Sequence, residues 1–156
     1  MHAPLRPTTP DDVAYVCAHL RPEDRAELVA LSGLPPEHSL PFTASTVGAL
    51  TMIAPATGDI LGLCGVHGCA VPGFGVIWMV CTEAVTRHRR VVLKHCATTI
   101  EGWHRHYPRL GNMVDSRNTL HIKWLGLMGF KFTGAAVIGP HSVPFITFEK
   151  ALASNV

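Results

Sequence analysis

The hydrophobic and polar positions of this chain alternate between two rhythms, one of helices and one of strands. Val13, Val16, Cys17 and Leu20 recur at helical spacing behind Thr9-Pro10-Asp11-Asp12. There the threonine can cap, the proline suits the first helical position and the two acids suit the positive helix end. The short extended segment Leu5-Arg6-Pro7 precedes it, and Arg21-Pro22-Glu23-Asp24 opens a second helix. Ser32-Gly33 ends that helix and Pro35-Pro36 forbids its continuation. From Thr46 to Ile53 the pattern turns to a strand. Ala56-Thr57-Gly58-Asp59 is a turn, and Ile60 to Val66 completes a hairpin. After the turn Pro72-Gly73-Phe74-Gly75, the near-continuous apolar run Val76 to Cys81 predicts a central strand buried on both faces.

A long helix is predicted from Thr86 to Tyr107, with Val92, Cys96, Ile100, Trp103 and Tyr107 along one side and Pro108 as its stop. A strand over Leu110 to Val114, a helix over Thr119 to Met128, and strands over Phe130 to Thr133 and Pro144 to Glu149 follow. This order predicts an α/β fold: a central mixed, twisted sheet of about six to seven strands with helices on both faces. With no repeat, low-complexity tract or linker, residues 1–156 are expected to form a single domain.

Composition narrows the picture. Apolar residues make up 47% and charged residues 15% of the chain, which excludes a disordered tail. The net charge of +2 gives no case for a nucleic-acid partner, although Arg87, His88, Arg89, Arg90 and Lys94 form a tight basic cluster. The five cysteines, odd in number and irregularly spaced, suit reduced thiols in a cytoplasmic setting. The opening "MHAPLRPTTPDD" carries no apolar signal core, and no run of about 18 apolar residues predicts a membrane span.

Two motifs carry a resemblance. The stretch "LRPTTPDD" is a short strand running into a capped helix, and "NTLHIKWLGLMGF" is a helix running from an asparagine to a Gly-Phe end. With the element order, these resemble the GNAT acetyltransferase family. A closer similarity, over Val76 to Glu149, is to the GNAT-like proteins of short-tailed phages, among them an internal virion protein family. It rests on "NTLHIKWLGLMG", "RHYPRLGNMV" and "PFITFE". The resemblance implies binding of acetyl-CoA (coenzyme A) and transfer of its acyl group to an amine. It places Asn118 beside the pantetheine arm, and Val80 and Thr82 at the strand that holds the cofactor and polarises its carbonyl. It places Arg87, Arg89 and Arg90 at the pyrophosphate. Gly129 is expected to end the helix in a left-handed conformation, with Phe130 docking into the core. The alternative it allows is a catalytically degenerate phage protein of virion assembly. Implied partners are an amine acceptor, either a small molecule or a host or phage protein, with a homodimer left open. The implied location is the host cytoplasm or the virion. Two departures stand out: "CTEAVTRHRR" lacks the family's pyrophosphate-binding glycines, and Leu125 stands where many members carry a proton-donating tyrosine.

Each candidate also has a plainer reading. Arg87, Arg89 and Arg90 suit either an anion site or a solvated basic helix end. Glu83, just past the central strand, is a candidate catalytic base, or else a helix-start acid favoured by the dipole. His121, one turn after Asn118, is a candidate acid or base, or a core histidine; His67 stands similarly. Asn118 itself is expected to cap its helix. Cys64, His67, Cys69 and Cys81 lack a second ligand pair, and Cys64 and His67 should face opposite sides of a strand, so no metal is expected. Trp78 and Trp124 read as core.

Overall fold

The computed structural model describes residues 5–46 and 48–152; Val47, expected in a strand, and the four outermost residues at each end of the predicted domain lie outside them. Seven strands form one sheet in the order β1-β2-β3-β4-β5-β7-β6. They are β1 (Leu5–Pro7), β2 (Leu50–Ile53), β3 (Ile60–Gly68), β4 (Phe74–Cys81), β5 (Arg109–Asp115), β6 (Lys131–Ile138) and β7 (Val143–Ala151). Every neighbouring pair is antiparallel except β4 and β5, which are joined by a helical crossover.

The helices are α1 (Pro10–His19), α2 (Pro22–Ser32), α3 (Pro36–Thr46), α4 (Arg89–His104) and α5 (Thr119–Leu127). On one face, Val13 and Val16 of α1 and Leu40 of α3 pack against Leu63 and Val80. On the other, Val92 and Cys96 of α4 and Trp124 of α5 pack against Met52, Cys64 and Cys81. Val80 and Cys81 thus serve opposite cores from adjacent positions of the central strand, as strand alternation requires. Among the described residues, no helix is long and apolar enough to cross a membrane.

The predicted punctuation is present. Thr9 and Asp12 form a reciprocal capping box at the start of α1. Gly33, with φ of 72°, closes α2 in the left-handed region. Gly129, with φ of 87°, closes α5. There the Phe130 N–H bonds to Leu125 O at 3.0 Å and the Gly129 N–H to Gly126 O at 3.1 Å, a Schellman closure with Phe130 buried behind it.

Two boundaries differ from expectation. The proline pair does stop α2, but Pro36 also opens a third helix, since proline's fixed φ suits a first turn. That helix runs to Thr46 and displaces the start of the strand to Leu50. The long helix is broken at His88: Glu83–Arg87 is a separate 3-10 turn, and α4 begins at Arg89. His88 leaves the helical region, with φ of −124°, and its ring lies 3.2 Å from Asp59 on the β2–β3 turn.

β4 and β5 pair only at Phe74–Arg109, Gly75–Leu110 and Val76–Gly111. Beyond that the two strands part. β4 continues to Cys81 on β3, and β5 continues to Asp115 on β7. The Asn112 side-chain amide, donating to Ile77 O at 2.7 Å, spans the first missing rung. The result is a wedge open towards the carboxyl ends of both strands, where ligands of α/β sheets characteristically bind.

Candidate active site

The main-chain groups of an antiparallel strand alternate in direction. The Thr82 N–H donates to Leu61 O at 2.9 Å, so Thr82 and, two residues back, Val80 and Trp78 turn their amides towards β3. Ile77, Met79 and Cys81 turn theirs into the wedge. The amides of Val80 and Thr82, the residues expected to hold the cofactor, belong to the β3 ladder. The Thr82 hydroxyl is likewise turned to Ile60 O at 2.7 Å. Of the three wedge-facing residues, Ile77 is bridged by Asn112. At Cys81 the carbonyl accepts the Arg21 N–H at 3.0 Å and the N–H donates to Asp24 Oδ2 at 3.2 Å. Met79 is left: among the described residues no hydrogen bond from this side reaches its N–H or C=O.

A cavity of about 270 Å³ fills the wedge, with Met79, Trp78, Trp124 and Leu125 among its mostly apolar walls. Its polar side comes from a buried cluster that joins α2 to the start of α5. Asn118 is completely buried. Its Nδ2 donates to Asp24 Oδ1 at 3.0 Å and to Glu27 Oε2 at 3.1 Å. Its Oδ1 accepts from Arg21 Nη1 at 3.3 Å. The side chain therefore forms no cap bond at α5, contrary to the expectation that it caps that helix. Buried carboxylates require such partners, and Asn118 supplies them. Arg21 Nη1 also bonds Asp24 Oδ2 at 3.1 Å, pairing that buried carboxylate with a buried guanidinium. The Asp115 N–H, at the end of β5, donates to Glu27 Oε2 at 3.1 Å.

Two titrating groups in this cluster are displaced. Burial pushes the Glu27 carboxyl up to about 7, against the pull of its bonds from Asn118 and the Asp115 amide; Asp24 and Asp115 add to the rise. Burial pushes the His121 imidazole below its ordinary value, although the nearby Asp24 opposes this. His121 Nδ1 lies 3.3 Å from Asn118 Nδ2, and Nε2 lies 3.5 Å from Asp24 Oδ1. His121 and Glu27 both line the cavity.

The structure brings some of the predicted site residues together and separates others. His121 and Asn118 meet in the cluster. Glu83 is exposed and lies in a second, outer groove of about 650 Å³, lined by Arg21, Arg89, Thr86, Thr119 and Lys123 as well. Arg89 thus faces that groove. Arg87 turns instead towards Asp59, 3.7 Å away, and Arg90 is exposed on the first turn of α4. His67 touches the cavity, with its ring bonded to the Gly68 carbonyl at 2.9 Å. Trp124 is core, as expected, while also walling the cavity with Trp78. Leu125, at the tyrosine position, presents only hydrocarbon to it.

All five cysteine thiols are free. Cys64 lies in the core beneath α4 while Cys69 is exposed. Asp24, Cys81 and His121 do converge, each with one donor atom within 4.8 Å of the others. Both Asp24 oxygens already accept hydrogen bonds, and burial holds the Cys81 thiol well above its ordinary value.

Sequence reasoning missed Arg21, Asp24 and Glu27. Their only signal was a cation and two acids at spacing of three along the start of α2, which reads equally as a solvated helix face.

No protein-family model matches this sequence, and no curated protein matches it. Solved structures match its fold. A GNAT-family acetyltransferase from Bacillus anthracis superposes with TM-score 0.73 at 12% identity, covering 97% of this chain and 95% of that one. Ribosomal-protein-alanine N-acetyltransferase from Brucella melitensis gives TM-score 0.68 at 16% identity, covering 96% and 99%. The yncA protein of Salmonella typhimurium, solved with its cofactor acetyl-CoA, gives 0.69 at 13% identity, covering 100% and 97%. The chain has the GNAT fold.

Proposed function

We propose that this protein is an acyl-CoA-dependent N-acyltransferase that binds acetyl-CoA in the β4–β5 wedge. The observation that carries the reading is the free edge of β4 at Met79, facing an apolar cavity inside a GNAT fold. An extended chain bearing amides can add to such an edge as a short strand. The one free rung suits a single amide of a pantetheine arm. The cofactor, when bound, supplies the acyl thioester. Met79 N–H and C=O would hold the arm, while Leu125 and Trp124 would exclude water from it. The groove at the start of α4 would take the anionic end. Its first N–H groups lack helical partners, and Arg89 and Lys123 add positive charge without the usual glycines, against Glu23 and Glu83 in the same lining.

The acceptor is an amine, carried by a small molecule or by a host or phage protein. The phage-type reading of Val76 to Glu149 rests on the resemblance carried by "NTLHIKWLGLMG", "RHYPRLGNMV" and "PFITFE". Calorimetric titration with acetyl-CoA tests the reading. Binding is expected, weakened by roughly tenfold in Arg89→Glu, where a charge at the anion groove is reversed. No heat of binding to the wild type at millimolar cofactor would remove the acyltransferase reading. It would leave the fold to a role in virion assembly.

A further inference from the structure

We propose that Glu27 is the general base of the acyl transfer and takes the proton from the attacking amine nitrogen. The inference rests on the acyltransferase reading and names a residue to which no role had been given. A base must keep an unengaged lone pair within reach of the reacting atoms. Glu27 Oε2 is pinned from two elements at once, by the Asp115 amide at the end of β5 and by Asn118 at the start of α5. Oε1 accepts no hydrogen bond among the described residues, and the side chain lines the wedge cavity. One oxygen therefore fixes the carboxylate while the other is available to a ligand.

The rival groups lack this arrangement. Both Asp24 oxygens are engaged, by Arg21, the Cys81 amide and Asn118. His121 is enclosed by the cluster, its Nδ1 3.3 Å from Asn118 Nδ2 and its buried, unbonded Nε2 3.5 Å from Asp24 Oδ1. Glu83 lies outside the cavity, in the outer groove. Three kinds of charge bear on Glu27: Asp24 on its own helix, Asp115 and Arg117 at the end of β5, and Arg21 with His121 across Asn118. The resulting value of about 7 suits a group that must accept and return a proton near neutrality.

The step balances. As the C–N bond forms, the nitrogen gives one proton to Oε1. As the C–S bond breaks, sulfur leaves as thiolate with its electron pair. The proton held on Glu27 then returns, directly or through water, to the thiolate, giving amide and free thiol. No oxidant or metal enters. Asn118 acts through Glu27 and is a positioning residue.

Two measurements test the proposal. The first follows carboxyl carbons by NMR in protein labelled at its glutamates: one resonance should titrate near pH 7 in the wild type and be missing from Glu27→Gln. The second follows thiol release from acetyl-CoA with an aromatic amine as acceptor, chosen because it is already unprotonated across the range. The wild-type kcat/KM should rise through an apparent pKa near 7. Glu27→Gln should lose that limb and about 10²-fold or more in rate, with acetyl-CoA affinity unchanged. Glu27→Asp, which keeps a carboxylate but withdraws it, should retain part of the limb. The proposal is overturned if no carboxyl titrates near neutrality, if Glu27→Gln keeps the pH limb, or if cofactor binds without thiol release. Failure of acetyl-CoA to bind at all is a separate result and strikes the acyltransferase reading itself.

Discussion

Glu27→Gln should make the protein more stable, by an amount that depends on pH. The carboxyl has an ordinary value of 4.5 and is pushed to about 7 in the folded chain. Between those values the native state holds a proton that the unfolded chain has released. Through this residue, wild-type stability therefore falls as pH rises from 4.5 to about 7. At about 1.36 kcal/mol per unit, the gap is worth about 3 kcal/mol. Glutamine matches the protonated acid in shape, keeps an oxygen for the Asn118 and Asp115 donors, and does not titrate. The variant should equal the wild type near pH 4.5 and exceed it by about 3 kcal/mol at pH 8, a widening of roughly 6–12 °C in Tm. Urea denaturation of both proteins at matched pH measures the difference directly, and terms common to both cancel. If the two stability curves stay parallel across the range, Glu27 is not held protonated by its surroundings, and the reasoning about its environment is wrong.

Asn118→Asp puts a third carboxylate against Asp24 and Glu27 and removes the two bonds that Nδ2 donates to them; thermal melts at pH 7 should show a loss of about 3 kcal/mol or more. A residue that merely capped α5 would tolerate this change, so an unaltered Tm would contradict the network described above. Asp12→Asn tests a buried carboxylate outside this cluster. Arg6 holds the Asp12 carboxyl well below its ordinary value, so its stabilisation is full above about pH 4 and is lost as acid protonates it. The variant should be less stable at neutral pH and show a shallower acid limb in denaturation series between about pH 4 and 2.

The sequence disclosed the parts of this molecule that are built locally. The Thr9–Asp12 capping box and the Gly129–Phe130 closure each involve residues a few positions apart, so composition and spacing suffice to read them. The central burial of β4 was legible because both of its faces are apolar. The helix α3 was not, because Pro35-Pro36 carries the same message for a stop and for a start, and Pro41 lies inside the element. Asn118 was legible as important and illegible in detail. A capping asparagine and a buried bridging one have the same local sequence. Glu27 was hidden most completely. Nothing within one turn of it distinguishes it from the exposed Glu23; its raised carboxyl comes from burial, and its placement from the bonds of Asp115 and Asn118.

The stitching of Arg21 and Asp24 to Cys81 and Asn118 has a consequence for how the molecule comes into being. Asp24 bonds to partners 57 and 94 positions away, and Glu27 to one 88 positions away. During synthesis, α2 emerges early and stays without its partners until β5 and the first turn of α5 have left the ribosome. Until then two acids and an arginine are held in water, and the wedge has no polar wall. Contacts that close such long loops form late and slowly. The polar wall of the wedge is therefore completed only after Asn118 has emerged, with β6 and β7 still to follow. A nascent chain released before Asn118 would carry five of the seven strands and an unfinished polar cluster.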